Sequence, residues 1–345
     1  MGRLSSTFAR SADLASLRLP TPSYQRPNEI LWTEETGRQV LIGLRAAAPI
    51  IDGMPQDPTI RPMTAEDAEP ASDVLVGGGW GDRRAFFRFA IAQPGLSPLV
   101  AEADGRIVGT GIATVNGSVG WVGMIFVDEA LRGRGIGTAL TAAVIDRLQA
   151  AGCASLVLLA SPIGRPIYER LGFVAEMDYR LLVAPGGPSG RPTTRTAGEA
   201  EVDRASARLR AFSPADLPAI LALDRAATGE DRDHLLRAVA SAATTVVAEG
   251  PSGQVVGFDA RVPWGPHPTI APALVDGVRL VEAQRAGSPV GVEVRTALPE
   301  VNRRGLVTLE NLGWLGARGL TRMVRGAPLH WDPQAIWGQF GAAIG

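Results

Sequence analysis

The sequence contains no lysine: all 34 of its basic residues are arginine. That excludes Schiff-base chemistry, a lysine general base and the phosphate-binding loop that closes in Gly-Lys-Ser/Thr. A single cysteine, Cys153, excludes an internal disulfide and a cysteine-based structural zinc site. It stands in "AAGCASLVLL" and reads as a buried, inert thiol. No apolar run is long enough to cross a bilayer; the densest, "LVLLA" at Leu156–Ala160, has the length of a core strand. A formal net charge of −1 argues against a dedicated nucleic-acid surface. The arginine-only bias matches the coding habit of a GC-rich bacterial genome, so a cytoplasmic bacterial protein without a membrane or metal requirement is expected.

What is present is enough for more than one core. At 345 residues, with 46% hydrophobic and 20% charged side chains, two domains are the natural reading. Residues 1–57 are rich in Arg and Ser and poor in acids, an extension that is either flexible or a docked arm. A first domain is expected over 58–183, a Pro/Gly-rich linker over 184–206 and a second domain over 207–345. In the first, "TIRPMTAEDAEPASDVL" reads as strand, turn and helix, with Thr64 as cap and Asp67 three residues on. "SPLVAEADGRIVGTGIATVNG" is two alternating runs about Asp104-Gly105, a hairpin. "VGWVGMIFV" and "SLVLLAS" are strands, "GRPIYERLGF" a short helix. After the linker the pattern recurs, with Ser213 and Asp216 in the roles of Thr64 and Asp67. The chain is therefore read as a diverged tandem duplication, α/β (α+β), each half a mixed and mostly antiparallel sheet flanked by helices.

The chemistry concentrates in "FVDEALRGRGIGTAL", Phe126–Leu140. A tight glycine loop feeding a helix presents unpaired backbone N–H groups, and the helix dipole adds positive charge. Gly133, Gly135 and Gly137 let an anion approach the backbone, and Arg132 and Arg134 stand beside it. The implied ligand is a pyrophosphate. A dinucleotide loop needs Gly-x-Gly-x-x-Gly, and both registers fail, at Thr138 and at Leu140. Arg-x-x-Gly-x-Gly remains.

On these residues the stretch Thr59–Val183 resembles the GNAT acetyltransferase superfamily. "MIFVDEALRGRGIGTAL" is similar to its acyl-CoA signature. "SPIGRPIYERLGF" is similar to its second signature, with Tyr168, Leu171, Gly172 and Phe173 matching and Ser161, Gly164 and Ile167 departing. The resemblance implies transfer of an acyl group, acetyl by default, from acetyl-CoA or another acyl-CoA to the amine of a small molecule. It implies that Ile125, Phe126 and Val127 line the pantetheine and thioester. Arg132, Gly133, Arg134, Gly135, Ile136, Gly137 and Thr138 would hold the pyrophosphate, and Tyr168 would serve the departing sulfur. "SVGWVGMIFV" offers no carboxylate as general base. The second half resembles a degenerate GNAT-like domain that walls the acceptor pocket; "VPWGPHPTIAPALVDGV" lacks the arginine–glycine pattern, and His234 and His267 read as structural. Two alternatives stand beside this reading. One is a non-catalytic acyl-CoA-binding module. The other is a transferase whose donor is not acetyl or rides on an acyl carrier protein, for which the small Gly120 and Gly123 would leave room. A monomer or homodimer is expected.

Overall fold

The computed structural model describes residues 58–188 and 207–345, all within one compact unit that begins at Met54. The expected N-terminal extension, and the linker beyond residue 188, lie outside the described residues. The first half runs β1 (Thr59–Pro62), α1 (Ala68–Gly77), α2 (Arg84–Ala92), β2 (Leu96–Ala103), β3 (Arg106–Asn116), β4 (Val119–Val127), α3 (Ile136–Ala150), β5 (Ser155–Ala160), α4 (Arg165–Arg170) and β6 (Val174–Pro185). The second repeats that order: β7 (Arg208–Ala211), α5 (Leu217–Thr228), α6 (Asp233–Val239), β8 (Thr245–Glu249), β9 (Val255–Ala260), β10 (Thr269–Ile270), α7 (Leu274–Ala286), β11 (Glu293–Pro299), α8 (Arg303–Asn311) and β12 (Leu315–Gly326). One further strand, β13 (Ile336–Gly338), follows.

The duplication is visible atom by atom. Arg61 donates to Asp67 at 2.6 and 2.9 Å and to Glu102 at 2.7 Å, and the Thr64 N–H donates to Asp67 at 2.7 Å. Arg210 donates to Asp216 at 2.7 and 2.8 Å and to Glu249 at 2.6 Å, and the Ser213 N–H donates to Asp216 at 2.7 Å. In each half one guanidinium thus ties the first strand to the hairpin and to the helix entry. The guanidinium beside it holds each aspartate below the usual carboxylate range. The Asp104-Gly105 turn takes positive φ at both residues, 50° and 69°, as a two-residue hairpin loop requires.

The halves do not keep separate sheets. One sheet of eight strands runs β1-β2-β3-β4-β5-β12-β6-β11, and one of five runs β13-β10-β9-β8-β7. Each half gives its last strand to the other: β12 lies against β5, β6 lies against β11, and β12 and β6 pair with each other. A single apolar core, including Phe86, Phe87, Phe126, Ile220, Leu236, Phe258 and Phe340, spans both halves on one side of this sheet. A second, with Leu140, Val144 and Leu148, lies under α3 on the other.

Candidate functional site

The Arg132–Thr138 knot is built from backbone conformation. Asp128 accepts from the Ala130 N–H at 3.0 Å and starts a short turn, Glu129–Leu131. Gly133 and Gly135 then take φ of +79° and +83°, conformations closed to most side chains. Gly135 caps α3 without any side-chain cap, and the first bond of the helix is Ala139 N–H to the Gly135 carbonyl at 2.9 Å. The N–H groups of Ile136, Gly137 and Thr138 therefore lie ahead of that bond, pointing out of the helix end. Beside Gly133 and Gly135 there is open space, with no atom within 4 Å of where a Cβ would stand. Arg132 donates to the Val127 carbonyl at 3.2 Å and to Glu129 at 2.9 Å, and its guanidinium lies 5.9 Å from the Phe126 ring centroid. Arg134 is exposed and makes no hydrogen bond or ion pair with any described residue.

The strand that enters this loop is split from its neighbour. β4 pairs in parallel with β5 only through Val119–Trp121, so Val122–Val127 has no partner on that side. On the other side its pairing with β3 slips between Thr110 and Ile112, and Met124 takes φ of +51°. Thr110 fastens this bulge by donating to the Met124 carbonyl at 2.8 Å. Around it the side chains alternate faces: Ile125 and Val127 pack toward α3, while Phe126 packs on the opposite face under Trp80, centroids 5.3 Å apart. α4 closes the site. An added Cβ on Gly137 would meet Val127 at 3.6 Å and Ile167 at 3.8 Å, so strand end, helix N-terminus and α4 converge there. Tyr168 follows Ile167, half-buried and edge-on to Phe173 at 6.2 Å, its hydroxyl free of any hydrogen bond to the described residues. Burial pushes its phenol up to about 12. The predicted site residues are thus gathered in one place. Gly120 and Gly123, by contrast, leave no spare room: Leu148 and Leu156 fill the first, and the Ala343 backbone lies against the second.

The second half has no counterpart to this cradle. Its β10 is flanked by β13, which occupies the edge that β4 leaves open. The Trp337 indole presses on α7 and α8, so closely that a Cβ on Gly277 or Gly305 would collide with it, and donates to the Ala271 carbonyl at 2.9 Å. His267 is buried on Asp259, which also accepts from Thr269 at 2.7 Å. What the second half does supply is a carboxylate. Glu230, fully buried, accepts from Asn116 at 2.7 Å and from the Trp121 indole at 2.9 Å, at the apex of the β4–β5 split. Sequence reasoning missed it, because nothing local couples residue 230 to β4. Burial raises its pKa, ahead of the opposing pull of Arg232 and the two hydrogen bonds. Its folded pKa then exceeds its unfolded one, so its favourable contribution is complete at acid pH and fades as pH climbs through the folded value. Glu230→Gln keeps an acceptor oxygen. It is expected to match the wild type in Tm near pH 4 and to exceed it by a few degrees at pH 8, measured by calorimetry across pH.

Comparison with known proteins gives a consistent answer. Residues 65–173 match a model described as the acetyltransferase (GNAT) family, and residues 220–338 one described as an acetyltransferase (GNAT) domain, more than half of the chain between them. An uncharacterized N-acetyltransferase of Bacillus subtilis, YitH, is 26% identical over 50% of this chain and 59% of its own length. The chain thus spans under two thirds of the length of the curated relatives it matches. Among solved structures, a candidate acetyltransferase from Pyrococcus horikoshii is 21% identical with a TM-score of 0.68, covering 84% of this chain and 96% of that one. A tandem GNAT protein from the clavulanic acid biosynthesis pathway is 15% identical with a TM-score of 0.50, covering 79% and 99%. These two likenesses are of fold.

Proposed function

The chain belongs to the GNAT acetyltransferase superfamily as a tandem member, and from that premise we propose that its first half transfers an acyl group from acetyl-CoA to a small-molecule amine. The observation that carries this reading is the open cradle: three N–H groups in the first turn of α3, two positive-φ glycines with space beside them, and two arginines, at the mouth of a strand split from its neighbour. That donor set fits a diphosphate. Arg134, with no competing partner, is the guanidinium free to meet it; Arg132 would keep its hold on Val127 and so fix the strand end.

The thioester supplies an activated acyl group, and the protein supplies geometry and dipoles. The unpaired flank of Val122–Val127 offers backbone donors beside the acyl carbonyl, where negative charge develops as the amine attacks. Removing one such donor typically costs about 3–4 kcal/mol in the barrier. On this reading Tyr168 serves the departing sulfur. With its phenol near 12 and a free thiol near 8.5, full proton transfer is uphill by roughly 5 kcal/mol. Tyr168 therefore donates a hydrogen bond to the departing thiolate, and solvent completes the protonation. The absence of any carboxylate on Val119–Val127 favours a second reading, in which the half binds acyl-CoA without turning it over.

Calorimetric titration with acetyl-CoA tests the proposal. One site per chain is expected, since β13 and Trp337 occupy the equivalent place in the second half; no binding would end the proposal. Tyr168→Phe then separates the two readings. In a transferase it should leave the acetyl-CoA Kd unchanged and lower kcat about 100-fold, whereas a binding module would show no turnover to lose.

A further inference from the structure

Beyond the donor site, and resting on that reading, the structure carries information about the acceptor. The face of the large sheet opposite α3 is continuous across the exchanged strands. Gly120 faces α3 against Leu148, so Trp121 faces away; Leu159 shares its side and packs in turn with Tyr179, Leu181, Ala297 and Leu320. Arg318 is the cross-strand partner of Leu181, which also partners Ala297, and Arg295 lies two residues before Ala297. Cross-strand partners share a face and alternate residues return to it, so Arg295 and Arg318 stand on this same face. Arg83, at the entry to α2, lies near enough to both for their charges to act on it. It is half-buried, and its guanidinium donates only to backbone carbonyls, of Asp82 at 3.3 Å and of Trp264 at 3.4 Å. Trp264, from the second half, is stacked on Phe89 with centroids 4.3 Å apart, which fixes that wall.

The charges here are unbalanced. Arg295 is paired with Glu293 at 2.6 Å, and Arg322 on the same strand as Arg318 is paired with Glu176 at 2.7 Å. Arg83 and Arg318 have no hydrogen-bonded carboxylate partner among the described residues; Asp82, next to Arg83, pulls against the two arginines but is itself paired with Arg84. Burial, with the positive fields of Arg295 and Arg318, holds the Arg83 guanidinium below its ordinary value. A half-buried guanidinium with no carboxylate on it, beside two other cations, is costly unless an anion completes the group. We propose that Arg83 and Arg318 bind an anionic group, carboxylate or phosphate, on the acceptor, so that the substrate class is amines carrying a negative charge.

The test uses the full chain saturated with coenzyme A, so that the Gly133–Thr138 cradle is occupied and cannot take up the probes. Inorganic phosphate and acetate are titrated at low salt. O-phosphoethanolamine is then compared with ethanolamine, and β-alanine with ethylamine, for binding to this complex and, with acetyl-CoA in place of coenzyme A, for acetyl transfer. The anionic member of each pair should bind at least about tenfold tighter, and the larger of the two ratios identifies phosphate or carboxylate as the group recognised. Arg318→Gln, at an exposed position, and Arg83→Gln should each remove about tenfold for the anionic members. Neither should change the neutral members or the coenzyme A affinity. Equal binding of neutral and anionic members by the wild type, or an unchanged ratio in Arg318→Gln, overturns the proposal. Failure to take up coenzyme A at the loading step overturns the donor reading instead, and comparing Arg318→Gln with the wild type in the phosphate titration still decides the anion site.

Discussion

Arg232→Ala is expected to cost the fold about 3–5 kcal/mol, read as a fall in urea midpoint and Tm. Arg232 and Asp224 form an ion pair in which both side chains are almost wholly removed from solvent, 0% and 2% exposed. It joins α5 to the entry of α6, by two guanidinium nitrogens on two carboxylate oxygens. Removing the cation leaves the aspartate charged and unsolvated, which is where most of the cost arises. The guanidinium also lies 5.2 Å from the Phe340 ring, so its loss opens a hole beneath the C-terminal segment. The double variant Arg232→Met/Asp224→Leu separates the two contributions. Removing both charges and keeping the volume should recover most of the stability, because a buried pair gains little over a well-packed apolar one. If Arg232→Ala alone were nearly neutral, water would have to reach Asp224, contrary to its burial.

Much of the fold was legible in the sequence for a simple reason: its signals are local. The hairpin at Asp104-Gly105, the strand–cap–helix entries at Thr64 and Ser213, and the repeat of element order after the linker are all set within a few residues. The two arginines that anchor the halves, Arg61 and Arg210, sit at equivalent places in the repeat and make equivalent bonds. The exchange of last strands was not legible. β6 and β12 each mix apolar with charged residues, and each could close its own sheet; which neighbour each takes is a choice among non-local pairings. The same holds for β13, whose three residues complete the sheet of the second half.

The site divides along the same line. The cradle could be read because glycine spacing dictates backbone conformation, and the structure gives Gly133 and Gly135 the positive φ that this spacing implies. Gly137 is different. Its contacts at 3.6 and 3.8 Å are ordinary packing distances, so neither strain nor crowding demands glycine there in the protein by itself. The residues of the proposed anion site, and buried Glu230, were silent in the sequence. Glu230, Arg83 and Arg318 come from three elements far apart in the chain, and each alone is a common surface type. Only the strand exchange brings β12 beside β5 and so sets Arg318 on the face that Trp121 shares.

Gly135→Glu is expected to abolish acyl-CoA binding, by more than about 100-fold in Kd or about 2.8 kcal/mol, while leaving the unliganded protein folded. Two effects oppose one another in the free chain. A side chain at φ of +83° is strained by about 1–2 kcal/mol. Yet a carboxylate at the N-terminal end of α3 meets N–H groups that nothing else satisfies, and the helix dipole favours it by about 0.3–1 kcal/mol. The Tm of the free variant should therefore fall only modestly, there being open space beside the Cβ position. In the liganded state the charge effect turns unfavourable as well, since the carboxylate stands in the diphosphate's place and repels it. The reading that separates these is ligand-induced stabilisation: 100 Kd of acetyl-CoA should stabilise the wild type by about 2.7 kcal/mol and the variant by nothing measurable. Gly135→Ala is the control, carrying the strain without the charge, and should keep a reduced but clear rise in Tm. If Gly135→Glu kept the full rise, the diphosphate would not be held at the N-terminus of α3, and Arg132 and Arg134 would have to be reassigned with it.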